Sequence, residues 1–111
     1  MNKLTRRNAK IAVAGIYTIG HYRSSQVRVE LRTSGGFCSF SFDADRTLEF
    51  LTAIEALDED GQYLHDLEGT PVCAWFDGPD GRILYIGSLF DEGGANWFVI
   101  TKPPKKGEGN V

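Results

Sequence analysis

The sequence carries little with which to do covalent chemistry. Its 111 residues include two histidines, two cysteines and one methionine. His21 sits in a loop-like stretch beside Tyr22 and Arg23, and His65 precedes Asp66 in a short polar segment. Neither stands in a Ser or Cys nucleophile context, so both read as surface histidines. Cys38 and Cys73 lie inside apolar, strand-like segments, with no His, Cys or acid at metal-ligand spacing, and read as reduced, buried thiols. The acidic runs Asp58-Glu59-Asp60 and Asp91-Glu92 lack calcium-loop spacing and read as solvated carboxylates. The glycine pairs Gly35-Gly36 and Gly93-Gly94 match no phosphate-cradling pattern and read as turns. No catalytic residue, metal or cofactor is therefore expected.

Long apolar runs are also missing. None approaches the roughly 20 residues that span a bilayer. The start, Met1 to Arg7, is basic but has no apolar stretch of the signal-peptide kind. The expectation is a cytoplasmic protein without a membrane partner.

What the chain does have is enough bulk for one core. Hydrophobic residues make up 41% of it, with seven Phe, four Tyr and two Trp, which suffices without disulfide or metal support. The net charge of −3 is unevenly spread. Lys3, Arg6, Arg7 and Lys10 crowd the first ten residues, three Lys follow Thr101, and the stretch between is strongly acidic. This reads as an acidic body with basic, solvated ends, a poor surface for a phosphate backbone. The organisation expected is a flexible basic N-terminus over 1–8, a single domain over 9–102, and a disordered tail over 103–111 that begins at Pro103-Pro104.

Periodicity supplies the elements. Residues 9–19 are apolar on both alternating faces, as in a strand covered on both sides. Residues 26–32 alternate Val27, Val29, Leu31 against Arg28, Glu30, Arg32, a half-exposed strand. Ser34-Gly35-Gly36 is a turn, and 37–42 returns as a third strand. The period then lengthens: Leu48, Leu51, Ile54 and Leu57 follow helical spacing, with Asp43 or Asp45 as cap. Residues 62–67 add a short helical turn. Strands over 71–77 and 82–90 flank the turn tetrad Gly78-Pro79-Asp80-Gly81, and 96–101 forms a sixth.

The fold class expected is α+β: a curved antiparallel sheet of about six strands (β-β-β-α-β-β-β) with one main helix packed on it. One helix covers one face of a sheet. Strands apolar on both faces then require strong curling or a second subunit, and a homodimer is expected.

Trp75 and Trp97 lie in nearby strands, with Tyr22 and Tyr85 adding hydroxyls and Arg23, Arg28, Arg32 and Arg82 adding cations. Aromatics combined with guanidinium groups suit a protein interface or a nucleotide, stacking on a base and pairing with phosphate. These eight residues are the candidate partner- or ligand-binding set.

The second half of the chain carries Leu67, Gly69, Val72, Ile83, Ile86, Gly87, Trp97 and Phe98 in an order that resembles small bacteriophage accessory proteins of the anti-defence type. Two positions depart from that pattern: Thr70 stands where a basic residue is usual, and Gly20-His21 inverts a His-Gly pair. The resemblance implies a non-catalytic protein of the host cell cytoplasm that inhibits an immune system by binding a protein component, as anti-CRISPR proteins do. The alternative it implies is an oligomeric sponge that sequesters a nucleotide immune signal. An acidic body suits the first and aromatics with arginines suit the second.

Overall fold

The structure is a computed structural model and describes residues 3–20, 24–90 and 97–100. Six strands form one antiparallel sheet in the order β3-β2-β1-β4-β5-β6, curled into a half-barrel around a single helix. The strands are β1 (Leu4–Ile19), β2 (Ser24–Thr33), β3 (Gly36–Asp43), β4 (Pro71–Asp77), β5 (Ile83–Gly87) and β6 (Phe98–Val99), and the helix α1 (Thr47–Ala53) follows β3.

β1 organises the sheet. Its 16 residues serve two partners in succession. Leu4 to Lys10 pair with Asp77 to Pro71 of β4, and Ala9 to Ile19 pair with Thr33 to Ser24 of β2. The two registers overlap only at Ala9 and Lys10. A bulge between Ile11 and Val13 marks the handover, and bulges bend a strand and increase its twist. The result is the curl expected from strands apolar on both faces.

β1 starts well before residue 9. Leu4 to Asn8, read from sequence as part of a flexible basic N-terminus, form the rung of the ladder opposite β4. Charged side chains are tolerated there because alternation directs Arg6, Asn8 and Lys10 to the outer face of the sheet. The tail over 103–111 lies outside the described residues.

The concave face holds the core. Val27, Val29 and Leu31 of β2, Val72 and Ala74 of β4 and Ile86 of β5 are fully buried there. Four phenylalanines weld helix to sheet. Phe50 of α1 meets Phe42 at 4.9 Å, Phe98 at 5.4 Å and Phe40 at 6.1 Å between ring centroids, and Phe42 meets Phe98 at 4.8 Å. Edge and tilted contacts of this kind add to the area they bury.

The helix is shorter than its sequence pattern. A 3-10 turn at Ala44–Arg46 precedes it, and neither Asp43 nor Asp45 caps it through a side-chain hydrogen bond. Its end is a Schellman-type turn. Ala56 N–H donates to Leu51 C=O and Glu55 N–H to Thr52 C=O, with Glu55 in the left-handed region at φ 57°. Leu57 therefore falls beyond the helix and is half exposed. Glu55 is held there partly by Ser88, whose hydroxyl donates to its carboxylate at 2.9 Å. Arg46 pins the other end: its guanidinium donates to Val99 C=O at 3.0 Å, pairs with Glu49 and lies 4.3 Å from the Phe98 ring centroid. The hydrogen bonds that Arg46 donates, and then its charge, hold the Glu49 carboxyl below its usual pKa.

The hairpin β4–β5 turns through Gly78 to Gly81. Asp77 N–H donates to Arg82 C=O, and a Cβ at Gly81 would sit 1.6 Å from the Asp77 carbonyl oxygen, so glycine is required. The short helical turn expected over 62–67 is a 3-10 turn at Leu64–Leu67. β5 and β6 are shorter than their apolar runs, and Phe90 is exposed.

Phe50→Ala removes the ring on which Phe40, Phe42 and Phe98 converge. It is expected to cost about 3–5 kcal/mol in denaturant unfolding. Leu48→Ala, at a position 67% exposed on the same helix, is expected to change stability by no more than about 0.5 kcal/mol.

Candidate functional site

The outer face of β4 and β5 is where sequence and structure meet. Alternation places Cys73 and Trp75 of β4 and Tyr85 and Gly87 of β5 on that face, with Trp75 opposite Tyr85 and Cys73 opposite Gly87. The helix lies on the other side and does not cover it. Trp97 does: its ring stacks on Trp75 at 4.4 Å and on Tyr85 at 5.2 Å. A Cβ at Gly87 would come within 3.1 Å of the Trp97 ring, so the glycine makes the space in which the indole rests. Trp75, Tyr85 and Trp97 all remain partly accessible. The Trp75 indole N–H is buried and has no hydrogen-bond partner among the described residues.

The cation beside this stack comes from β1. Arg6 is the register partner of Trp75, and its guanidinium stands 5.9 Å from the indole centroid. It donates to the Asn8 side chain and to Leu89 C=O, both at 3.1 Å. Arg6 therefore sits between the aromatic stack and the outer face of β1, held by neutral acceptors.

Three of the eight residues expected in a binding set, Trp75, Tyr85 and Trp97, thus form one cluster. Arg28, Arg32 and Arg82 do not join it. Arg28 and Arg32 stand on the outer face of β2, and Arg32 lies 5.8 Å from the Phe37 ring centroid. Arg82 lies at the end of the β4–β5 turn, lining a cleft with Cys38, Ser39 and Ser41 of β3. Tyr22 and Arg23 lie outside the described residues, as do His21, Asp91, Glu92 and the pair Gly93-Gly94.

Arg6, Asn8 and Lys10 were missed by the sequence reading. Their period-two spacing, in phase against Ala9 and Ile11, is the signal that marks them as one face of a strand rather than a solvated tail.

Charge is separated between the two sides of the sheet. The connection from β3 to β4, residues 44–70, runs over the concave side and carries eight carboxylates, all exposed, against the single cation Arg46. The outer face of β1 and β2 carries Arg6, Lys10, Arg28 and Arg32 against Glu30. His65 stacks on Tyr63 at 5.4 Å and meets Asp66 at 3.4 Å in that same exposed connection. Among the described residues, no group of three or more His, Cys, Asp or Glu is placed to hold a metal ion, and no helix is long and apolar enough to cross a membrane.

Cys38 is half buried, and burial pushes its thiol pKa up, while Cys73 is fully buried. The thiolate is the reactive form, so Cys38 is a poor nucleophile, and burial keeps Cys73 from contact with a reagent. A thiol-specific colorimetric reagent at neutral pH is expected to label the native protein slowly and both cysteines at once on unfolding. Rapid labelling of Cys38 in the native state would contradict this.

Protein-family models, curated proteins and solved structures were each compared with the chain, and none matches it.

Proposed function

We propose that the chain is a non-catalytic binding protein of the phage anti-defence type, which inhibits a host immune system by covering a basic surface of one of its protein components. The observation that supports this is the separation of charge. Eight exposed carboxylates ride on one connection, over a helix that Arg46 and four phenylalanine rings fix to the sheet. Carboxylates held on a rigid support match the charge of a nucleic-acid backbone before a basic protein groove and speed encounter with it. The test is capture from a lysate of cells that carry the immune system, with the protein immobilised. A component of the immune complex is expected to be retained and to elute as salt rises. The triple change Asp58→Lys, Glu59→Lys, Asp60→Lys is expected to lower retention at least about tenfold. Retention indifferent to that reversal and to salt sinks this mode.

A second reading is favoured by a different observation, the stack of Trp75, Trp97 and Tyr85 with Arg6 at its edge. Aromatic faces beside a guanidinium recognise a base and its phosphate together. In this reading the protein sequesters a nucleotide immune signal, and a homodimer raises the number of sites per particle. Mixing the protein with candidate nucleotides, washing and then heating is expected to release the nucleotide intact. An altered nucleotide overturns the non-catalytic reading altogether. If nothing is retained, sequestration falls.

A further inference from the structure

We infer that the basic residues of β1 and β2 form a phosphate-binding trough along the open edge of β1, suited to a ligand with two or more closely spaced phosphates. The trough consists of two adjoining clefts that share Asn8 and Ser34. The first, of about 340 Å³, is lined also by Lys10, Arg32, Thr33 and Leu89. The second, of about 560 Å³, is lined also by Thr5, Arg6 and Arg7. Together they gather four cations with hydroxyl and amide donors, and among the described residues no carboxylate lines either cleft.

Topology explains why these residues converge. β2 ends at Thr33, so the β2 side of β1 is unpaired from Asn8 back to Leu4. The β2–β3 turn bends toward this open edge: Arg7 Nη1 lies 3.3 Å from the position a Cβ at Gly35 would take. Lys10 and Arg32 are register partners one rung from the last, Ala9–Thr33, that precedes the gap.

The electrostatics point to an anion. In a chain with 15 acids and 12 basic residues, no ion pair joins these four cations to an acid among the described residues. Arg46–Glu49 and His65–Asp66 are ion pairs elsewhere in the molecule. Arg6 and Arg7 are instead oriented by neutral acceptors: Asn8 Oδ1 and Leu89 C=O for Arg6, Pro79 C=O for Arg7. Each keeps further N–H donors, and its full charge, for a ligand. Glu30 stands on β2 between Arg28 and Arg32 but lines neither cleft. Like charges brought this close without a counter-charge repel one another, and an anion bound among them relieves that cost.

This trough deepens the sequestration reading by naming what would hold the phosphates. Arg6 borders both the trough and the Trp75 ring, so a base on the aromatic stack and phosphates in the trough belong to one ligand. Phosphates of that spacing occur in a small nucleotide and in a nucleic-acid backbone.

The test is titration calorimetry of the full chain with three probes: tripolyphosphate, a dinucleotide and a short single-stranded DNA. Tripolyphosphate is expected to bind, and affinity to fall with salt by about 0.7 log unit per log unit of salt for each cation engaged by the DNA probe. Lys10→Glu and Arg32→Glu are each expected to weaken binding of all three at least tenfold, while Arg82→Glu, outside both clefts, leaves it unchanged. Thermal melts confirm folding of these exposed-site variants. A tighter dinucleotide than DNA assigns the trough to a small ligand, and the reverse order assigns it to a strand. No binding by tripolyphosphate, or binding indifferent to both reversals, overturns the trough. A dinucleotide retained by Lys10→Glu and Arg32→Glu alike leaves sequestration standing without it. Tripolyphosphate binding with no gain from a base leaves the trough standing and removes the base contact.

Discussion

One strand with two partners is the constraint on which the molecule depends. β1 is too long for either neighbour, so β4 takes its first half and β2 its second. Two flat ladders on one strand would splay. The bulge at Ile11–Val13 turns the second half relative to the first, and the sheet closes into a half-barrel that one short helix is able to fill. The same arrangement leaves an open edge beside Leu4 to Asn8, and the cations of β1 border it.

The two faces of the sheet are closed by different means. On the concave side, Phe50 brings the helix into contact with Phe40, Phe42 and Phe98, and Arg46 ties the helix start to the last strand. On the outer side, cover comes from a side chain. Trp97 lies back across β5 and β4, and Gly87 makes room for it. The apolar second face of β4 and β5 is thus sheltered within one chain. That of β1 is less so, since Val13 and Tyr17 stay about half exposed.

The succession of strands along the chain was legible because period-two alternation survives wherever a face is buried, as at Val27, Val29 and Leu31. The β4–β5 hairpin was legible from turn chemistry alone, and Pro71–Asp77 runs as its sequence suggests. The helix end was not legible. Its apolar spacing continues through Leu57, but a left-handed residue at Glu55, a position where glycine is usual, stops it. The start of β1 was hidden for a different reason. A run of cations at a chain end looks the same in sequence whether solvated or laid along a sheet, and only pairing with β4 distinguishes the two. Of the candidate site, the aromatic members were readable as residue types. Their convergence depends on a register set by a bulge in the β4–β5 pair. Arg6, which completes the cluster, comes from the segment that looked structureless.

The separation of charge across the sheet has a consequence for approach rather than for contact. A net charge of −3 describes the molecule only from far away. Within a screening length, about 8 Å at physiological ionic strength, a visitor meets either carboxylates or guanidinium groups according to the side from which it comes. The described residues amount in effect to a small electric dipole. Such a dipole turns in the field of a charged body before touching it, so bodies of opposite charge are steered to opposite sides and need not compete.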